Sequence, residues 1–238
     1  MTDPQPQARG ADAGSPDAEP ITAVDVRVRP YEPRDRDAIR RLACDTADRG
    51  EPVERFFPDR ELVAELLTRY YTDYEPGSTW VADVGDQVVG YVTGCLDTRR
   101  YQHTMYARIV PRAIYRAVLR GTLLAPETWR LVWASAFTLL RGGLQRRVPL
   151  DRYAAHLHIN LRNEFRGRRL GARLVHCFLD QAKRAGATGI HVGVRGDNPR
   201  ACRLFERLGF TVLQRCPVLA PRSGQYIQYH TVVYARAL

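Results

Sequence analysis

The chain has 238 residues, 45% of them hydrophobic and 26% charged. That is enough apolar material for one globular domain and too much for a disordered chain. Its formal net charge is +10, and 35 of its 36 basic residues are arginine. The longest uncharged apolar run, Leu131 to Leu140, is about half of what a membrane-spanning helix needs.

Met1 to Pro20 is rich in Pro, Asp, Gly and Ala. It is predicted to be a disordered tail, without the basic start and apolar centre of a secretory signal. One domain is expected over 21–238. Val24, Val26 and Val28 alternate with charged residues and predict a half-buried first strand. Pro33 to Ala47 predicts a helix starting near Asp35 or Arg36, with Ala38, Ile39, Leu42 and Ala43 inward. Asp59 to Tyr71 predicts a second helix with Leu62, Val63, Leu66, Leu67 and Tyr70 on one face. Thr79 to Val84 and Gln87 to Leu96 flank Gly85-Asp86, a hairpin signal.

The charge is concentrated in the segment after this hairpin. From Arg99 to Arg152 there are eleven arginines against Glu127 and Asp151, a net of +9, while the other 184 residues carry 25 basic and 24 acidic groups. The spacing predicts a two-helix insert over Pro111 to Leu124 and Pro126 to Arg141, stopped by Gly142-Gly143. Arg108, Arg112, Arg116 and Arg120 recur every four residues and form one stripe, with Pro111 marking the helix start just after Arg108. Trp129, Val132, Trp133, Ala136, Phe137 and Leu140 lie at helical spacing on the second helix. The plainer expectation is that this apolar face is core or a homodimer interface and that the arginines are solvated. The sharper one is a lid that holds an anionic partner or lies on an acidic membrane surface.

Ala155 to Leu161 alternates again. Arg168 to Ala185 predicts a long helix ended by Gly186, Gly189 to Val194 a strand, Pro199 to Leu208 a short helix capped by Gly209, and Phe210 to Gln214 and Tyr226 to Ala235 the closing strands. The five cysteines, Cys44, Cys95, Cys177, Cys202 and Cys216, are scattered with no C-x-x-C spacing. They predict reduced thiols in a cytoplasmic protein, neither a disulfide frame nor a zinc site.

The chemistry-bearing stretch is the turn Asn163-Glu164-Phe165-Arg166-Gly167-Arg168-Arg169-Leu170-Gly171-Ala172, between a strand and the long helix. First-turn amides have no intrahelical partner and sit at the positive end of the dipole, so a phosphate there gains several N–H bonds. Glycine lets the backbone come close, and Arg166, Arg168, Arg169 and Arg173 add charge.

Arg166 to Gly171 resembles the R/Q-x-x-G-x-G/A pyrophosphate loop of the GNAT superfamily of acetyl-CoA-dependent N-acetyltransferases. Asn198, Ala201, Phe205, Gly209 and Phe210 resemble its N-x-x-A-x-x-x-Y-x-x-x-G-F segment. AAHLHINL, with DTADRG and YYTDYEP before it, is more particularly similar to bacterial relatives of the C-terminal acetyltransferase-like domain of O-GlcNAcases. The resemblance implies a mixed α/β fold, a strongly twisted sheet flanked by helices with the basic insert between its third and fourth strands. It also implies acetyl-CoA as co-substrate, held by Leu161, Arg166, Gly167, Arg168, Arg169, Leu170, Gly171, Ala172, Asn198, Ala201 and Phe205, with acetyl passing to a primary amine.

Two departures stand out. Arg169 occupies the usual middle glycine; its amide still donates if φ is helical, so this change is expected to be mild. Phe205 occupies the position of the tyrosine that protonates the leaving thiolate, implying slower chemistry, differently assisted chemistry, or none. By resemblance the oxyanion donor is a backbone N–H near Leu161. His156, His158 and Asn160 share one strand face, and His158 is the first candidate for the base that takes the amine's proton. Asp97 is the second. His-x-His can also bind metal, but no third ligand is evident.

Two further readings stand beside the enzyme. One is a sensor or interaction module of the same fold that binds an acyl-CoA without turnover. The other is a nucleic-acid binder, which charge alone supports: no helix-turn-helix and no stacking platform of strand aromatics appears.

Overall fold

Strands β1 (Arg27–Pro30), β2 (Thr79–Val84), β3 (Gln87–Cys95), β4 (Ala155–Leu161), β5 (Gly189–Arg195), β6 (Thr211–Arg222) and β7 (Gln225–Ala237) form one sheet in the order β1-β2-β3-β4-β5-β7-β6. The computed structural model describes residues 25–141 and 148–238; the tail and the Gly142-Gly143 stop expected from sequence lie outside them. Neighbouring strands are antiparallel except β4 and β5, which are parallel, so the sheet is mixed.

Helix α6 (Leu170–Arg184) covers one face. Leu174, Val175, Phe178 and Leu179 repeat at helical spacing and pack on Val92, Leu157, Ile190 and Val192. Gly94 of β3 leaves the room that the Phe178 ring fills. Helix α1 (Arg36–Asp45) covers the opposite face with Ile39, Leu42 and Ala43 against Val81, Val88 and Tyr91. The β2–β3 turn is the hairpin turn expected of Gly85-Asp86, with φ of +53° and +64°.

Four sequence expectations are corrected. The described first strand begins at Arg27, after Val26, while Val24 lies outside the described residues. Arg29 is buried on it, clasped between Asp35 and Asp83, while Val26 and Val28 reach the main core. Helix α2 (Arg60–Arg69) packs Leu62, Val63 and Leu66 on the core and is followed by buried Tyr70, as expected, but Leu67 is exposed and Ala64, Glu65 and Thr68 are the positions it buries fully. Glu65 is drawn inward by Arg40, Arg69 and Arg116.

The third correction concerns the insert, whose described residues form three α-helices: α3 (Thr98–Thr104), α4 (Val110–Leu119) and α5 (Pro126–Leu140). Pro111 does not start a helix. A π-helical stretch, Met105–Ile109, joins α3 to α4 without a break. Proline lacks an N–H and crowds the carbonyl four residues back, and a widened turn just before it relieves both.

Fourth, the closing hairpin is far longer than predicted. β6 runs through Pro217 and Pro221 to Arg222 because it is the sheet's edge, where prolines are tolerated. Helix α5 lies across it. The Thr138 hydroxyl accepts from Leu219 N–H (2.9 Å) and donates to Leu219 O (3.3 Å).

Candidate active site

The site begins where β4 and β5 part. Only Ala155↔Ile190 and His156↔His191 pair; beyond them the strands separate, leaving Leu157 to Leu161 unpaired on that side. Arg162 N–H bonds Val89 O on β3. Alternate residues of an antiparallel strand address the same neighbour, so Leu157, Ile159 and Leu161 direct their backbone groups into the split. Their side chains face α6, as expected, and His156, His158 and Asn160 take the other face.

At the mouth of the split lies the turn into α6. Asn163–Phe165 form a single 3-10 turn, Gly167 has φ +87°, and Arg169 has φ +59°. Arg169 is therefore left-handed, which corrects the expectation of a mild substitution: a glycine belongs there because an L side chain is strained in that region. Arg169→Gly is expected to stabilise the fold by about 0.5–1 kcal/mol. It should appear as a higher urea midpoint at unchanged slope.

The arginines of the turn have different environments. Arg168 stands over the Phe165 ring at 5.7 Å, and Arg173 reaches back to Val26 O at 3.3 Å. Arg166 is turned inward, its Nε donating to Leu161 O (3.2 Å) and Nη1 to Arg49 O (3.1 Å). Asn163 donates to Gly50 O at 3.1 Å, so the loop after α1 is fastened onto the turn. Gly50, at φ +104°, has no room for a side chain between Asn163 and Arg166.

Gly171 sits where β4, α6 and α7 (Pro199–Arg207) meet. A Cβ there would lie 3.3 Å from Leu161 Cδ1 and 3.4 Å from Leu204 Cδ2. Leu170 is buried in the core and Ala172 is half-buried against it. Asn198 caps α7, its Oδ1 accepting from Ala201 N–H at 3.2 Å. Phe205 is 2% exposed, with its ring against Phe210 and Tyr234. It is core beneath α7, with no surface left for a ligand.

The polar face of β4 joins a network that sequence reasoning missed. Thr98 Oγ1 donates to Ala154 O (2.6 Å), so toward His156 Nδ1 (2.8 Å) it must accept. The imidazole then carries its proton on Nδ1, and Nε2 accepts from the Tyr71 hydroxyl at 2.9 Å. His156 is 6% exposed, with Tyr101 edge-on at 4.6 Å. Burial pushes the Tyr71 phenol well above its ordinary range, so it acts as a neutral donor. Next to it, Glu75 accepts from Tyr70, Ser78 and Leu96 N–H, and burial pushes the Cys95 thiol up to about 12.

His158 is exposed, opposite Thr93, with the Tyr71 ring at 5.8 Å. Asp97 is not beside it. It lies past the end of β3 and caps α3, accepting from Arg99 N–H (2.9 Å) and Arg100 N–H (3.2 Å). The aromatic run at Tyr70, Tyr71 and Tyr74 was the available signal for the missed network, since tyrosines that share a face with histidines invite hydrogen bonding.

A second missed feature lies near the far end of β5. Asp48, 2% exposed, accepts a hydrogen bond from Arg195 Nη1 at 3.0 Å and is ion-paired with Arg222 Nε at 3.1 Å. These groups wall a cavity of about 250 Å³ shared with Tyr229, Ile227 and Leu131. Asp48→Asn would leave Arg222 facing no carboxylate and Arg195 with Asp197 alone. A cost of about 2–3 kcal/mol is expected, below the fully buried range because both guanidiniums keep some solvent. A lowered thermal midpoint checks it.

Residues 140–210 match the acetyltransferase (GNAT) family. The L-methionine sulfoximine/L-methionine sulfone acetyltransferase of Salmonella typhimurium is 28% identical over 76 residues, 32% of this chain and 44% of that protein. The chain thus matches less than half of that relative's length. Among solved structures, SsHAT is 26% identical with a TM-score of 0.67, over 89% of this chain and 98% of that one. The Salmonella typhimurium protein yncA, solved with its cofactor acetyl-CoA, is 16% identical with a TM-score of 0.55, over 90% and 94%. A GCN5-related N-acetyltransferase from Kribbella flavida is 20% identical with a TM-score of 0.54, over 90% and 98%.

Proposed function

This chain has the GNAT fold, and from that premise we propose that it is an acetyl-CoA-dependent N-acetyltransferase acting on a primary amine. The observation that carries the reading is the split between β4 and β5, with the turn from Arg166 to Ala172 at its mouth. The residues suit the co-substrate. The amides of Gly167 to Gly171 offer donors at a helix start, Arg168 and Arg169 lie beside them, and the inner edge of β4 leaves backbone groups unpaired. Arg166 acts by holding the turn and the loop at Arg49 together. Asn198 and Ala201 line the opposite wall, at the start of α7.

In this reading the Leu161 N–H faces the developing oxyanion, and a fixed donor there stabilises charge as it forms. His158 is the group placed to take the amine's proton, directly or through water; His156, held on both nitrogens, positions the strand. Asp97 serves the fold as a helix cap. Acetyl-CoA itself supplies the thioester and a thiolate that is a tolerable leaving group, since an ordinary thiol ionises near pH 8.5. The test is a thiol-release assay over an amine panel, run beside calorimetric titration with acetyl-CoA. Saturable binding with turnover of at least one amine supports the reading; absence of binding overturns it.

The buried, hydroxyl-free Phe205 ring favours a second reading, an acyl-CoA-binding module without turnover. Binding with no amine accepted would support it. The finer resemblance to the acetyltransferase-like domain of O-GlcNAcases, carried by residues 154–161 with 45–50 and 70–76 before them, belongs to the same proposal.

A further inference from the structure

The insert carries its apolar residues on the wrong side for a core. On α4 the inward positions are Ala113 and Ala117, while Tyr115, Val118 and Leu119 face outward. On α5 the inward positions are Thr128, Ala134 and Thr138, while Trp129 and Trp133 are 61% and 62% exposed. Leu124, in the turn that joins the two helices, and Leu140, at the end of α5, are 87% and 86% exposed. The core half of the plainer sequence expectation is therefore corrected: the fully buried positions of α5 are small residues, Leu131 is half-buried, and both tryptophans contact solvent. Single exposed leucines are ordinary, but an outward apolar helix face with two tryptophans marks a binding surface.

The arginines divide along the same line. Four-residue spacing advances about 40° per step around a helix, so the stripe spirals. Its end turns to α2, where Arg116 pairs with Glu65 and Arg120 with Asp59. Arg99 pairs with Asp151. Among the described residues Arg100, Arg108, Arg112 and Arg130 are exposed and make no ion pair. Cations without partners therefore flank the apolar face. No described helix is long and apolar enough to cross a membrane.

We propose that α4 and α5 lie on an anionic lipid surface, with Trp129, Trp133, Leu119 and Leu124 entering the boundary between headgroups and acyl chains and Arg108, Arg112 and Arg130 meeting lipid phosphates. Charge selects this occupant over a second copy of the chain. An isologous dimer would bring two copies of the same net-positive patch together, whereas an acidic bilayer supplies both the apolar depth and the opposite charge that such helices use. The proposal is independent of acyl transfer.

The test is co-sedimentation of the full chain with vesicles of phosphatidylcholine alone and of phosphatidylcholine with phosphatidylglycerol. Binding is expected only to the anionic vesicles, weakening as salt rises, with a blue shift of tryptophan emission. Trp129→Ser with Trp133→Ser should abolish it; both side chains are exposed, so the fold is expected to survive. Arg108→Gln with Arg112→Gln should weaken partitioning roughly 30-fold, about fivefold for each arginine. Equal partitioning to both vesicles, binding unchanged by salt, or no sedimentation of a folded chain would overturn the proposal. So would a dimer in light scattering that is lost in the tryptophan variant and does not bind vesicles.

Discussion

Gly171→Glu is expected to abolish acetyl-CoA binding, weakening it by more than about 100-fold, the equivalent of about 3 kcal/mol. The Cβ of any residue at 171 points to the junction of Leu161, Leu204 and Ile159, on the wall of the split. A methyl group fits once those flexible ends yield by a few tenths of an ångström, so Gly171→Ala should fold and bind within about fivefold of the parent. A glutamate cannot be housed among leucines without a large desolvation cost. Its carboxylate must run along the split, into the space proposed for the co-substrate. Some loss of stability accompanies this. Calorimetric titration is therefore paired with circular dichroism, and the alanine variant serves as the folded control. A folded Gly171→Glu protein with undiminished affinity would move the site elsewhere.

His158→Ala is expected to lower turnover by roughly 10²–10⁴-fold, the range for loss of a positioned base, and to leave acetyl-CoA affinity within about twofold. The separation comes from geometry. His158 is exposed on the face of β4 opposite the one that packs on α6. His156→Ala should behave differently. It removes a buried ring and one hydrogen-bond partner of the Tyr71 hydroxyl, so about 3 kcal/mol of stability should go with it. Steady-state kinetics and urea unfolding on the pair distinguish the two roles. Full turnover in His158→Ala would assign the proton to another group or to water.

Much of the frame was legible because it is local. The Gly85-Asp86 turn, the α6 stripe of Leu174, Phe178 and Leu179 and the glycine stop at Gly209 are each set by neighbours a few residues apart. So was the alternation of β4, which put His156, His158 and Asn160 on one face and left Leu157, Ile159 and Leu161 for α6.

By itself, then, the sequence determined the mixed α/β architecture, the phosphate-type turn, the concentration of charge between Arg99 and Arg152, and which residues share a strand face. Tertiary structure decided the rest, because those questions depend on what lies across the fold. Arg169 is left-handed because the turn must both close onto α6 and meet the Arg49 loop. Phe205 is core because Phe210 and Tyr234 close over it. Asp97 is a cap because a helix, not a loop, comes after β3. Glu65 is buried because three arginines from separate segments converge on it. The periodicity of α5 reveals an apolar face but not its direction: that face turns outward because β6 takes the side bearing Ala134 and Thr138, where only small residues let the helix approach the strand.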